Sequence, residues 1–382
     1  MWQAEVRVDL DAIEHNVRLL REIAASSGAE VMAVVKGDGY GHGMVTAARA
    51  ALRGGATWLG ACTVGEALAL RAAGVTAPVF AWLISPGVAL APALEAGVDL
   101  GTGTIAQLAE IVGAARRTGI AARVHLKLDT GLSRGGAVAG DWPALCEAAA
   151  KAQADGTIAV VGAWSHLAHA DEPGHPTNDA QLAAFHDGLA TAERLGLAPR
   201  YRHLANSAAT LTRSETHFDL VRPGIACYGL NPVPRLDMAL RPAMTVRARV
   251  VLTKRVPAGQ GVSYGHTYQT PGPATLALVP LGYADGVPRA ASNRAFVHLA
   301  GANRRIAGRV CMDQIVLDCG DDAVAAGDVA VLFGPGEDGE PTADDWARAV
   351  DTINYEIVTR FGSTRVPRVY SGALTEGVEV DR

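Results

Sequence analysis

One feature constrains this chain more than any other: short apolar runs alternate with stretches of helix formers over its first two thirds. The runs occupy residues 31–36, 57–61, 78–83, 98–101, 122–128, 158–165, 201–204 and 218–222. Between most of them lie Ala-, Leu-, Glu- and Arg-rich segments at helical period, such as 104–117 and 179–195. Strand followed by helix, repeated, buries both faces of a parallel sheet. Eight repeats predict an α/β fold of the (β/α)8 barrel type.

The rhythm changes after residue 222. Asn231-Pro-Val-Pro234 and Arg241-Pro242 punctuate a linker. Beyond it, runs at 246–256, 275–280, 295–299, 304–310, 315–318 and 329–333 are short and parted by Gly, Pro and Asp. They predict a mostly-β second domain, with a helix near 344–360 at its end. The expected division is residues 1–237 for the barrel and 238–382 for the second domain, the first ten or so residues packing with the latter.

Composition narrows the function classes. Lys plus Arg total 34 against 39 Asp plus Glu, a net charge of −5 with no basic block, so no nucleic-acid partner is expected. The longest apolar stretch, near 80–94, is broken by Pro86 and Pro92, and the N-terminal segment is acidic where a signal peptide is apolar. No membrane association is expected, and the localisation predicted is cytoplasmic. Five widely spaced cysteines without a CxxC pair predict reduced thiols and no metal site.

Only four lysines exist, Lys36, Lys127, Lys151 and Lys254, so Schiff-base chemistry has four candidates. Lys151 lies on a helix beside an alanine run, and Lys254 stands next to Arg255 in the β domain. Lys36 ends an apolar run and opens a glycine-rich loop, at the strand ends where barrels keep their active sites. Partial desolvation there lowers an amine's pKa and makes it a nucleophile. A strand-end lysine reaching for water fits that position equally.

A second segment, RVHLKLDTGLSRGG, alternates Val124, Leu126 and Leu128 on one face with Arg123, His125, Lys127 and Asp129 on the other. A charged face inside a barrel is costly unless paired, so this strand end is functional or a solvated edge. WSHLAHAD places His166 just past the sixth run. RHLANS and DLVRPGI follow the seventh and eighth runs, the usual phosphate site of barrels, although Asn206-Ser207 also reads as a plain helix N-cap. In the β domain, GVSYGHTY offers Tyr264.

The string AVVKGDGYGHG resembles the cofactor-lysine motif of alanine racemases, usually written AVVKxxxYGHG. The resemblance extends from Val8-Asp-Leu-Asp to Arg365-Val-Pro-Arg, nearly the whole chain. It implies pyridoxal 5'-phosphate held by Lys36 as a Schiff base. Tyr40, Ser207, Tyr355 and the amides of Gly224 and Ile225 contact the phosphate, with Asn206 beside them, and His42 shapes the turn. Arg222 faces the pyridine nitrogen, oriented by His203, and His166 belongs to the hydrogen-bonded chain around it.

Arg134 and Met312 contact the substrate carboxylate in this reading, and Lys127 occupies a position often carbamylated. Asp313 supports Met312. Tyr283, Asp171, Arg289, Arg309 and Ile353 match corridor positions. Departures are Gly37 and Gly39 beside the lysine, Gly135-Gly136 where Asn-Gly is frequent, and His169 where relatives carry a small residue.

Racemisation removes a proton from one face of Cα and delivers another to the opposite face, so two groups are needed. The resemblance gives Lys36 the D-side proton and Tyr264 the L-side proton. The tyrosine, whose ordinary pKa is near 10, would be tuned by Arg134 and His166. It implies a head-to-tail homodimer in which Tyr264 crosses to the second subunit. The expected reaction is interconversion of L- and D-alanine, supplying D-alanine to peptidoglycan, with cycloserine as an inhibitor. Alternatives are a broad-specificity amino-acid racemase, a barrel-type decarboxylase and a non-enzymatic pyridoxal-phosphate carrier. Relatives of the first kind typically carry signal peptides, relatives of the second place a glutamate where Arg222 stands, and the third lacks a use for the second domain.

Overall fold

A computed structural model describes residues 2–233, 236–362 and 365–373. The chain divides into two compact units. One comprises Ile13–Gly39 and Ala47–Leu240; the other gathers Met1–Ala12, Tyr40–Thr46 and Arg241–Arg382.

The first unit is the eight-stranded parallel barrel. Its strands, in chain order, are Glu30–Val34, Trp58–Ala61, Val79–Ala81, Val98–Thr102, Ala122–Lys127, Ile158–Trp164, Tyr201–His203 and Leu220–Val221. The first seven pair in sequence order, and the eighth pairs with the first, Glu30 opposite Leu220. The seventh and eighth meet through Arg222 N–H donating to Ala205 O at 3.0 Å and Asp219 N–H to Arg202 O at 3.1 Å. The strands are short and almost wholly buried because helices such as Ile105–Thr118 and Pro176–Arg194 cover the outer face. Met32, Trp58, Phe80, Trp164, Tyr201 and Leu220 form a bulky cluster in its core.

The second unit is β-rich. A six-stranded sheet runs in the order Ala302–Arg305, Phe296–Leu299, Val329–Phe333, Met244–Arg249, Ala4–Asp9 and Arg368–Ser371. A three-stranded sheet joins Leu252–Val256, Ala274–Val279 and Ile315–Asp318, and Gly261–Val262 pairs with Tyr268–Gln269 as a ribbon.

Three expectations need correction here. The run 246–256 is two strands in different sheets, because the backbone changes partners in its middle: Val250 N–H bonds Asp328 O and Val251 N–H bonds Leu278 O. The run 304–310 contributes only the end of Ala302–Arg305; Gly308 turns the chain at φ +79°, where an added Cβ would lie 2.4 Å from Val262 O. The helix near 344–360 is two, Ala343–Val350 and Asn354–Thr359, parted by Asp351 in a left-handed conformation, and the strand Arg368–Ser371 follows it.

Candidate active site

Lys36 stands just past the end of the first barrel strand, half-buried. Its loop is anchored by Glu66, which belongs to a capping box at the start of Val64–Ala72. The Glu66 carboxylate accepts from Gly37 N–H at 2.8 Å, from Cys62 N–H at 2.8 Å and from Thr63 N–H at 3.1 Å. The Lys36 ammonium lies 5.6 Å from the Trp82 ring centre. Burial lowers its pKa, and the cations of Arg134 and Arg222 push the same way against Cys62 and Glu66.

Lys127 ends the fifth strand and sits 4.7 Å from the Trp164 ring centre. Burial, then Arg134 and Arg222, bring its pKa down to about 8. Arg222 is buried, and burial lowers it to about 9, which leaves it cationic at neutral pH. Its Nη2 donates to Ser165 O at 2.7 Å and to Leu204 O at 3.2 Å, and meets His166 Nδ1 at 3.3 Å. His166 is pushed well below the ordinary histidine range by burial and by the four surrounding cations, so it accepts as a neutral imidazole.

Among the described residues no carboxylate lies within ion-pair distance of Lys36, Lys127, Arg134 or Arg222. Four basic groups converge at one end of the barrel, with Glu66 and Asp129 near enough to act on them but not in ion-pair contact. That donor set suits an anionic ligand, and a lysine with a lowered pKa within it suits an aldehyde. Pyridoxal phosphate fits both demands.

Beside this group, Asn206 caps the helix Ser207–Thr212 through Oδ1, which accepts from Ala209 N–H at 3.1 Å. Ser207 Oγ accepts from Gly224 N–H at 2.8 Å and from Ala226 N–H at 3.3 Å, leaving its own proton to donate. Ile225 opens the turn Ile225–Tyr228 next to it. Asn206 and Arg222 bridge the two chain segments. His169 stacks on His175 with ring centres 3.8 Å apart, and Asp171 follows exposed.

The remaining sequence candidates lie in the second unit. Tyr40 and Tyr355 face each other with ring centres 6.2 Å apart. The glycines of the YGHG motif have a packing reason: an added Cβ on Gly41 would lie 2.3 Å from Val358 O, and on Gly43 2.0 Å from Tyr370 Oη. His42 Nδ1 bonds Tyr40 O at 2.9 Å and so closes the turn.

Tyr264 is 70% exposed. It sits on a strained turn, with Ser263 at φ 61°, Gly265 at 70° and His266 at 45°. Ser263 Oγ donates to Arg309 O at 2.6 Å. Met312 is 53% exposed on a loop tied to the Tyr283 turn: Tyr283 N–H bonds Cys311 O and Ala284 N–H bonds Met312 O, both at 3.0 Å. Arg365 bridges Asp313 at 2.7 Å and buried Asp285 at 3.2 Å. Ile353 is 60% exposed at the start of Asn354–Thr359, and Arg289 is exposed on its own turn.

Sequence reasoning did not single out Glu66, Trp82, Trp164 or Asp99. Glu66 was signalled by the Thr-x-x-Glu spacing at Thr63; the others become neighbours of the site only once adjacent strands are aligned.

A parallel barrel with a reactive lysine among cations at its strand ends, joined to a β-rich unit, defines a pyridoxal-phosphate-dependent isomerase. The family models for the N-terminal and C-terminal domains of alanine racemase match residues 8–232 and 243–370. The chain is 70% identical to the alanine racemase of Salinispora arenicola over 97% of its length and 99% of that protein. Its fold is similar to the crystal structure of alanine racemase from D-cycloserine-producing Streptomyces lavendulae, with a TM-score of 0.96, 54% identity, and 98% and 99% of the two chains covered. The Bartonella henselae alanine racemase, solved with covalently bound pyridoxal phosphate, has a TM-score of 0.87 at 29% identity, covering 97% of this chain and 100% of that one. The chain belongs to the alanine racemase family.

Proposed function

We propose that this chain interconverts L- and D-alanine with Lys36 and Tyr264 as its two proton-handling groups, working as a head-to-tail homodimer in the cytoplasm and supplying D-alanine to peptidoglycan. The observation that carries the reading is Lys36, a half-buried amine at a barrel strand end, with a pKa lowered by burial and by Arg134 and Arg222, and with no carboxylate within ion-pair distance among the described residues. Lys127 shares the lowered pKa, but it ends the fifth strand rather than opening the glycine-rich loop; Lys151 is exposed, and Lys254 lies on a sheet of the second unit.

Bound pyridoxal phosphate supplies an aldehyde for an amine and a ring that spreads the charge left when Cα loses its proton. In the barrel, the Ser207 hydroxyl and the Ile225 amide would hold its phosphate, and the Gly224 amide would have to give up its bond to Ser207 Oγ to join them. In the second unit, the Tyr40 and Tyr355 hydroxyls are assigned to phosphate. Arg222 would donate a hydrogen bond to the pyridine nitrogen without protonating it, which would limit charge spread into the ring and favour proton return over side reactions. That disfavours the decarboxylase alternative. Arg134 and the Met312 amide bind the substrate carboxylate. Lys127, carbamylated, becomes an anion that braces Arg134.

Lys36 holds or releases the proton on one face of Cα. Tyr264 sits exposed on a strained turn and serves the opposite face of a second copy's substrate. Tyr283, Asp171, Arg289, Arg309 and Ile353 line the approach.

The test is D-alanine formation from L-alanine by wild type and Tyr264→Phe, each carrying yellow cofactor. Racemisation by wild type alone supports the assignment. A yellow wild type inert on alanine removes alanine as substrate, and comparable turnover of both proteins removes Tyr264 from the chemistry. Turnover on serine and lysine separates the broad-specificity alternative.

A further inference from the structure

A chain of hydrogen bonds leaves Arg222 in the direction opposite to the site. Arg222 Nη1 meets His203 Nδ1 at 3.2 Å, His203 Nε2 meets His125 Nδ1 at 2.9 Å, and His125 Nε2 meets Asp99 Oδ2 at 3.1 Å. Asp99 also takes a two-pronged bond from Arg123, at 2.7 and 3.1 Å. His125 and His203 are wholly buried and Asp99 nearly so, while the Arg123 side chain is half exposed. Asp99 lies near the start of the fourth strand and Arg222 just past the end of the eighth, so the chain runs through the barrel interior from one end towards the other.

The ends fix the direction of every proton between them. A carboxylate only accepts, so His125 carries its proton on Nε2 and presents a lone pair on Nδ1. His203 must then donate from Nε2, which leaves its Nδ1 lone pair for Arg222, a group that only donates. The reverse order would set two donors against each other at Arg222. The strands are built for this path. The strand pairing slips between Val124 and His125, and His125 lies opposite Gly162, where any Cβ would come within 1.9 Å of His125 Nδ1. Phe80 packs on His125 and Trp164 stacks parallel to His203, excluding other partners for the rings.

We propose that Asp99, acting through His125 and His203, is a positioning residue that locks Arg222 as a directed hydrogen-bond donor towards the cofactor ring. The proposal rests on the reading of Arg222 given above. It assigns a part in the reaction to a carboxylate on the far side of the barrel that touches neither substrate nor cofactor.

The first measurement is ring ¹⁵N NMR of histidine-labelled wild type, with and without pyridoxal phosphate. Both His125 and His203 are expected as neutral Nε2–H forms in each state. A proton on Nδ1 of either ring, or a doubly protonated ring, overturns the proposal without any variant. The second compares Asp99→Asn and Asp99→Glu holoenzymes. Asparagine can donate as well as accept, so the Asn variant is expected to lose the fixed ring forms, shift the cofactor absorbance, and lose about ten- to a hundredfold in kcat with little change in KM for alanine. Glu, still acceptor-only, is expected to restore the ring forms and most of the rate. Unchanged ring spectra together with unchanged kcat in Asp99→Asn overturn the proposal. Should the Asn variant not fold, the wild-type spectra decide alone, because the proposal states where each proton sits. A wild type that binds cofactor but leaves alanine untouched refutes the proposed function instead, and is distinguishable from reversed ring forms.

Discussion

The two units place the side chains singled out for chemistry in different ways. In the barrel, Arg222, His203, His125 and Asp99 are buried and bonded to one another. In the second unit, Tyr264, Ile353 and Met312 are 70%, 60% and 53% exposed, large side chains with apolar surface facing outward. A buried group is tuned by its own fold through desolvation and fixed partners. An exposed group is shaped by whatever covers it. The buried barrel groups are set by their own fold, and these side chains of the β unit lie open to solvent.

Removing the barrel's strand-end lysine is the most severe way to break that contrast. Lys36→Ala is expected to abolish racemisation, by at least about four orders of magnitude, with loss of the yellow lysine-bound cofactor band. Tyr264→Phe follows, with a drop in kcat on the order of a thousandfold and an unchanged melting temperature, because so exposed a phenol contributes little to folding. Mixing these two inactive proteins sharpens the comparison further. If Tyr264 serves the other copy, exchange of subunits restores up to about a quarter of the active sites; if it serves its own chain, no activity returns.

Gly162→Ala tests the barrel side through stability. A methyl group forced against His125 is expected to cost about 1–3 kcal/mol, read as a lower urea midpoint at unchanged slope. The smallest effect concerns Lys127. With a pKa of about 8, its amine is mostly protonated below that pH and mostly free above it. Carbamylation needs the free amine, so ¹³CO₂ labelling at this residue is expected to increase as pH rises from 7 to about 9. Labelling that is constant or falls over that range removes the lowered amine from the account.

The barrel was legible because parallel strands buried on both faces read as continuous apolar runs. All eight runs overlap a strand, with ends differing by at most two residues. The second unit was harder. Residues 246–256 read as one run, and the point where the backbone leaves one sheet for another is marked only by a break in alternation at Val250-Val251-Leu252. Ala4–Asp9 was not read as a strand, because its partners are Met244–Arg249 and Arg368–Ser371, hundreds of residues away.

The site divides along the same line. Lys36, Tyr40 and His42 share one motif and were visible together. His125 stood on a charged face whose purpose was open, since Asp99 and His203 become its neighbours only when strands four, five and seven are assembled. Glu66 was hidden for a different reason: its signature is that of an ordinary helix cap, which it also is.

The assignment of Tyr40–Thr46 to the β-rich unit, together with Met1–Ala12, bears on how this protein could be recombined. The lysine motif straddles a boundary, with Lys36 on one side and Tyr40 four residues later on the other. A chimera with a relative made by one crossover near residue 240 would leave two short segments of the old parent among the strands of the new one. Faithful exchange of a unit requires four junctions, one of them inside the motif itself, so homologous shuffling should tolerate swaps of whole chains far better than swaps of halves.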